Sequence, residues 1–373
     1  CNFNEMQKTY LFVIFSCIII SCSKSTLETI EDDDRALSFY SGVDLSYVNE
    51  MEDCGAIFKN LDNAVQDPYK IFYDAGAKIV RIRLWNNPEW TNYSNIEDVK
   101  KSISRAKRLG LKILLDFHYS DTWADAGKQI IPKEWEELIN DRNALGEKVY
   151  SYTKSVLELL ITENLKPDIV QIGNEINTMI LQEENNHTSE IDWDRNSFLI
   201  NNGISAVRDL GKGIEVMLHI AQPENASWWF NKASINGITD FDWIGLSYYP
   251  KWSTINIDDI DIEVKSLIEN YNKRLMIVET AYPFTLKSKD NASNILGEDS
   301  LISNFPASVD GQYNYLQYLK SKLISGGAEG LIYWEPAWVS TRCKTLWGTG
   351  SHWENSTLFN FENKANKGVL FLN

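Results

Sequence analysis

A closed (β/α)₈ barrel in a single α/β domain with extended loops at its C-terminal face is the architecture this sequence predicts. Three observations point to it. Eight short apolar strand candidates recur along the chain, and the gaps between them have room for a helix, as a βαβ unit requires. Several strands are almost continuously apolar, as in Lys112-Ile-Leu-Leu and Leu275-Met-Ile-Val. Strands buried on both faces read this way. Charged and aromatic residues gather at the C-terminal end of every strand, where barrels place their sites. A doubly wound open sheet is the runner-up, and that clustering argues against it.

The elements follow in order. The strand candidates are Ser41–Val48, Ala77–Trp85, Lys112–Ser120, Pro167–Ile176, Glu215–Gln222, Trp243–Pro250, Arg274–Tyr282 and Gly327–Trp338. Apolar spacing of three and four residues predicts helices over Ser94–Leu109 and Leu145–Glu163. Gly76, Gly110 and Gly326–Gly327 precede strands, where a helix C-terminus takes positive φ. The strand ends read Asp44-Leu-Ser-Tyr47, Arg81-Ile-Arg83-Leu-Trp85, Asp116-Phe-His118, Gly173-Asn174-Glu175, His219-Ile-Ala-Gln222, Ser247-Tyr-Tyr-Pro250, Glu279-Thr-Ala-Tyr282 and Tyr333-Trp-Glu-Pro-Ala-Trp338.

Composition limits the function. The chain has 373 residues, 52 acidic against 36 basic, and a net charge of −16. Such a surface excludes nucleic acid and makes an acidic polymer a poor substrate, because both need a basic face. Thirteen tryptophans are many for one chain. Some fill core, and the flat face of others suits sugar rings.

The first residues read as targeting. Lys8 precedes the apolar stretch Leu11 to Ile20, too short to span a bilayer and suited to a signal peptide. Ile19-Ile-Ser-Cys22 resembles a bacterial lipobox, with Cys22 the lipidated residue; a plain secretory signal is the alternative. Residues 1–21 are thus a signal peptide, with 1–5 an upstream extension before Met6. Residues 22–40 form a polar, acidic tether, and 41–373 the (β/α)₈ domain. Loss of residues 1–21 removes Glu5 and Lys8 and leaves the net charge unchanged. The acidic stretch after Cys22 suggests a lipoprotein on the outer membrane, facing outside.

Two carboxylates carry the chemistry. Glu175 and Glu279 each close an apolar strand, the fourth and the seventh. An ion pair with Arg81 or Arg83 would explain either one alone. Together, on opposite sides of a barrel mouth, they suit retaining glycoside hydrolysis, which needs two carboxyls about 5–5.5 Å apart.

The motifs at these strand ends closely resemble the endo-β-1,4-galactanases of glycoside hydrolase family 53. The matching stretches are Gly42-Val-Asp-Leu-Ser-Tyr, Val80-Arg-Ile-Arg-Leu-Trp85, Leu115-Asp-Phe-His-Tyr-Ser-Asp-Thr-Trp-Ala-Asp125, Gln171-Ile-Gly-Asn-Glu175, Gly245-Leu-Ser-Tyr-Tyr-Pro250, Val278-Glu-Thr-Ala-Tyr282 and Tyr333-Trp-Glu-Pro-Ala-Trp338. The resemblance implies roles. Glu175 is expected as acid/base and Glu279 as nucleophile, held by Arg83. Tyr249 is expected to donate to Glu279, with Tyr248 as the other candidate. Asn174 would bind the sugar 2-hydroxyl, and His118 and Asp44 would shape the site. Trp334 would be the floor platform. Trp85, Trp123, Trp252, Trp347 and Trp353 are candidates for outer platforms, and Ser247 and Tyr248 for further sugar contacts.

The resemblance also implies β-1,4-galactan as substrate and no required cofactor. A monomer is the default for a polymer-cutting barrel, and the lipobox makes Cys22 its attachment to the membrane. Some relatives carry calcium in the loop after strand seven. Here Lys287 and Lys289 crowd that loop, and only Asp290 and Asn291 remain as ligand candidates. Cys54 and Cys343 follow strands one and eight, neighbours in a closed barrel, and a disulfide between them is expected. Two other readings stand beside the leading one. One keeps the mechanism and changes the polymer to β-mannan or β-glucan. The other is a glycan-binding lipoprotein without catalysis, which the presence of both Glu residues opposes.

Overall fold

The computed structural model describes residues 39–373. The proposed signal peptide, Cys22 and nearly all of the tether lie outside the described residues. Eight parallel strands run β1 (Tyr40–Asp44), β2 (Ile79–Leu84), β3 (Lys112–Phe117), β4 (Ile169–Ile172), β5 (Glu215–Ala221), β6 (Trp243–Ser247), β7 (Arg274–Glu279) and β8 (Gly330–Tyr333). They pair in chain order, and β8 returns to β1 with Gly42 opposite Ile332, so the sheet closes.

The helices form the outer ring: α1 (Val48–Asp53), α2 (Pro68–Asp74), α3 (Ile96–Arg108), α4 (Arg142–Thr162), α5 (Trp193–Arg208), α6 (Pro223–Ile235), α7 (Ile260–Tyr271) and α8 (Val309–Gly326). Side-chain caps define several starts. Asn95 accepts from two backbone amides of α3 and Asp141 from two of α4, satisfying donors with no intrahelical partner.

The barrel interior is layered, and the layers place the site. Ile79, Leu114, Ile169, Met217, Trp243, Met276 and Ile332 fill the lower lumen. Gly42 makes room on β1, since a Cβ there would lie 2.4 Å from Ile79 Cγ2. Side chains alternate along a strand, so the next inward position is two residues on. That step turns Ile79 into Arg81, Leu114 into Asp116, Ile169 into Gln171 and Met217 into His219. A buried polar layer therefore rests on the apolar plug.

Strand β7 departs from the alternation. Met276 and Val278 both face the lumen, which would turn Glu279 outward. A register shift at Leu246/Ser247 instead sets Glu279 opposite Ser247. The extra residue re-aims the side chain into the mouth, as β-bulges do beside active sites.

The long strand-to-helix connections lie at the C-terminal face, and a disulfide ties two of them. Cys54, after α1, is bonded to Cys343 in the connection after β8, with Cα atoms 5.6 Å apart. The bridge closes a loop of 289 residues. Reducing it, or replacing Cys54 and Cys343 by Ser, should cost up to about 5–6 kcal/mol by the chain-entropy argument for a loop this long, read as a lower denaturation midpoint.

Candidate active site

The C-terminal face opens on a cleft of about 630 Å³, lined by Glu175, Glu279, Asn174, Tyr249 and a set of tryptophans. Carboxylate oxygens of Glu175 and Glu279 come within 4.8 Å of each other.

Arg81 is the hub. It is 1% exposed, and all five of its N–H donors are used. Nε donates to Gln171 at 3.2 Å. Nη1 reaches Asp44 at 3.0 Å and Glu279 at 2.8 Å. Nη2 reaches Asp116 at 2.8 Å and Asn174 Oδ1 at 2.7 Å. This corrects the expectation for Arg83, which pairs with Glu335 at 3.1 Å instead of Glu279. The reason is height. Both arginines face inward, but two residues along a strand separate them by about 6.6 Å. Arg81 lies in the layer that reaches across the axis. Arg83 lies above it, between the rings of Tyr47, Trp85 and Trp123, its guanidinium carbon 4.1 Å from the Trp123 centroid. Arg83 thus supports the Trp123 ring.

The two carboxyls have different surroundings. Glu279 is 6% exposed and faces two donors, Arg81 at 2.8 Å and the Tyr249 hydroxyl at 3.2 Å. Glu175 follows Gly173 and Asn174 in a turn and takes a φ of +44°, an uncommon conformation for a side chain of its size. Its Oε2 accepts from the Ala126 amide at 3.3 Å, and Oε1 lies 2.5 Å from Ser247 Oγ. Loss of water raises both carboxyls above their usual range; at Glu279 Arg81 opposes the rise and Glu175 adds to it. Two such groups this close hold one proton between them at neutral pH. Two donors converge on Glu279, one a cation, so the proton resides on Glu175.

Asn174 is oriented by Arg81 and by its own Nδ2 donating to the Ala124 carbonyl at 2.8 Å. His118 accepts the Ala124 amide on Nδ1 at 3.1 Å, and its Nε2 lies 3.0 Å from Asp116. That geometry fits a neutral ring, and burial lowers its pKa. His118 thereby fixes the loop that carries Trp123 and Ala126. Asp44 lines the cleft floor and accepts from Arg81 and from Ser46 at 2.6 Å.

The aromatic residues divide. Trp334 and Trp123 line the cleft, partly exposed, with centroids 5.9 Å apart. Trp353 touches the cleft but is 2% exposed, edge-on to Trp334 at 4.7 Å and donating to its carbonyl, so it props Trp334 and is no outer platform. Trp252 and Trp347 stand at its margins, 46% and 49% exposed. Trp85 is 1% exposed and packs on Arg83, so it is support and no platform. Tyr248 is buried, with its hydroxyl donating to the Ile255 carbonyl at 3.1 Å, because consecutive residues point to opposite faces. Ser247 is fully buried behind Glu175 and lies off the cleft surface. Trp338, quoted above only as the end of the strand-eight motif, lines the cleft as well, and so do His352 and Asn225, which were missed from the sequence because the loops that bring them there have no periodicity.

Trp347 sits on the two-residue link between β9 (Lys344–Thr345) and β10 (Gly348–Thr349), its ring 5.8 Å from Trp123. Trp347→Ala should raise KM for long oligosaccharides roughly tenfold, the equivalent of about 1.4 kcal/mol of lost binding, with kcat and melting temperature nearly unchanged.

No metal centre is assigned among the described residues. Glu175, His219 and Glu279 have ligand atoms within 4.8 Å of one another, but this follows from the facing carboxyl pair, and each group has a hydrogen-bond role. Asp290 and Asn291 do not converge. The Asp290 carboxylate accepts from the Ala292 and Ser351 amides and from Ser340 Oγ, while Asn291 is exposed.

The sequence profile of Glycosyl hydrolase family 53 matches residues 40–372. The chain belongs to glycosyl hydrolase family 53. A family 53 relative, the arabinogalactan endo-beta-1,4-galactanase of Cellvibrio japonicus, is 52% identical over 339 residues, covering 90% of each chain. The endo-beta-1,4-galactanase of Bacillus subtilis is 35% identical, covering 85% of this chain and 76% of that one. Among solved structures, the GH53 catalytic domain of Ignisphaera aggregans superposes with a TM-score of 0.83 at 31% identity, covering 90% of this chain and 96% of that one. The resemblance read from the strand-end motifs is thus borne out for family and fold. The family 53 match spans the whole barrel, so every strand-end residue described above lies within it.

Proposed function

We propose that this chain hydrolyses internal β-1,4-galactosidic bonds of galactan, the side chain of pectic type I arabinogalactan, with retention of configuration. The observation that carries the mechanism is the Glu175–Glu279 pair: two carboxyls within 4.8 Å, one facing two donors and the other holding the shared proton. That spacing leaves no room for a water between them and suits a double displacement. Glu279 attacks the anomeric carbon as Glu175 protonates the leaving oxygen. Glu175 then takes a proton from the water that releases the sugar. Asn174 is placed for the 2-hydroxyl, Tyr249 orients Glu279, and Trp334 and Trp123 offer faces for sugar rings. The choice of galactan rests on the relatives named above.

The test is product analysis. The mature protein without Cys22 should release short galacto-oligosaccharides from linear β-1,4-galactan and nothing from mannan, cellulose derivatives, arabinan or β-1,3-galactan. Cleavage of mannan or glucan would keep the mechanism and discard the substrate. A folded protein inert on all of them would leave glycan capture as the function.

We further propose that residues 1–21 are removed, that Cys22 is lipidated and that the monomeric enzyme stands on the outer face of the outer membrane. The Ile19-Ile-Ser-Cys22 run and the acidic stretch after it support this. Labelled fatty acid should enter the protein and be lost in Cys22→Ala. Labelling that survives the substitution would discard the anchor.

A further inference from the structure

Behind Glu175 lies a buried chain of side chains that the reaction, as written above, does not use. Ser247 and His219 are both fully buried. Ser247 Oγ is 2.5 Å from Glu175 Oε1 and 2.9 Å from His219 Nε2. His219 Nδ1 is 2.9 Å from Asn174 Oδ1.

The far end sets the sense of every bond in the chain. Arg81 has only donors, so the Asn174 atom it meets at 2.7 Å is the carbonyl oxygen, and the amide nitrogen donates to the Ala124 carbonyl. The atom facing His219 Nδ1 is therefore an acceptor, and Nδ1 must carry the ring proton. Two donors also approach Nδ1. Gln171 Nε2, at 3.2 Å, has nearer acceptors in Asp116 Oδ1 at 2.6 Å and the Gly173 carbonyl at 3.0 Å. The Glu175 amide also points at Nδ1, at 3.3 Å, and would favour a bare Nδ1; the 2.9 Å contact to Asn174 Oδ1 is the shorter and sets the tautomer. The ring is neutral, because burial and the facing Arg81 and His118 disfavour its cation, with Asp116 opposing. Nε2 is then a bare lone pair, and only the Ser247 hydroxyl can donate to it. A hydroxyl has one proton. Its oxygen can meet Glu175 Oε1 only as an acceptor.

We infer that His219 and Ser247 act as positioning residues that accept a hydrogen bond from the protonated carboxyl of Glu175 and so hold it in its proton-donor form. Burial, Asp125 and Glu279 also favour protonation of this carboxyl; Ser247 would favour ionisation if it donated to Oε1 instead of accepting, and the Ala126 amide and Arg81 favour ionisation as they stand. The consequence runs through both steps. In the first, the proton passes from Glu175 to the leaving oxygen. The ionised Glu175 then faces an oxygen with no proton to give it, which strengthens it as a base toward water.

This rests on the acid/base role proposed for Glu175, and the tests separate the two. The chain has four histidines. ¹⁵N NMR of the labelled, unsubstituted protein should show His219 neutral with its proton on Nδ1. A proton on Nε2 would overturn the inference and leave the galactanase reading intact. The second test is the pH profile of kcat/KM on galactan for Ser247→Ala. Loss of an acceptor lowers the Glu175 pKa, so the basic limb should move about one unit to lower pH, the equivalent of one ordinary hydrogen bond. Ser247→Thr should restore it. A basic limb that moves up, or stays, would show that Ser247 donates to ionised Glu175 or has no part in setting its proton.

Discussion

Glu279→Gln is expected to lower kcat on galactan by a factor of about 10⁴ or more, the equivalent of ~5 kcal/mol of barrier. The amide keeps the shape of the side chain and cannot form the glycosyl-enzyme bond. Nothing in the aromatic lining changes, so galacto-oligosaccharides should bind nearly as before in calorimetry. Stability gives an internal control. Burial raises the Glu279 carboxyl above its value in the unfolded chain, with Arg81 opposing. A raised carboxyl favours folding at low pH and loses that contribution as pH rises through its folded value. The neutral amide escapes this cost, so the variant should melt no lower than the parent at neutral pH. Normal hydrolysis by Glu279→Gln would sink the assignment. In the companion variant Glu279→Ala, azide should enter from the vacated side and give the α-galactosyl azide, whereas Glu175→Ala should give the β product.

Arg81→Lys is the second large effect. Lysine has three donors where Arg81 uses five, and its point charge cannot serve Asp44, Asp116 and Glu279 together. Buried carboxylates left without partners cost about 3–5 kcal/mol, to be read as a lower denaturation midpoint. The loss of the nearest cation should also raise the Glu279 pKa further, so the acid limb of kcat/KM moves to higher pH. Arg83→Lys makes the contrast. Its partner is Glu335, and its guanidinium lies under Trp123. That variant should raise KM and leave the acid limb in place. Equal shifts of the limb in both variants would contradict the separation of the two arginines.

Much of this site was legible along the strands. The step of two residues takes Ile79 to Arg81, Leu114 to Asp116 and Met217 to His219 with no knowledge of the third dimension. The polar layer could have been listed from that alternation alone. Tyr249 came from the family resemblance with Tyr248 left open; alternation says only that the two face opposite ways, and the structure turns Tyr249 to Glu279. Residues that loops bring in, such as His352 and Asn225, had no such signal, since a connection without periodic structure gives no direction to its side chains.

The amino-acid sequence by itself determined the eight-fold order of strands and helices, the end of the barrel that carries chemistry, the two carboxylates and the family. These follow from local periodicity and from motifs within single strands. Only the tertiary structure decided which arginine meets Glu279, because that depends on height along the barrel axis and on the register shift that turns Glu279 inward. It likewise decided that Ser247 faces His219 and Glu175 from behind the cleft, a contact among β4, β5 and β6 that exists only once the sheet has closed. Spacing along one strand sets which face a side chain takes. What it meets there is set by the stagger between strands, which no single strand encodes.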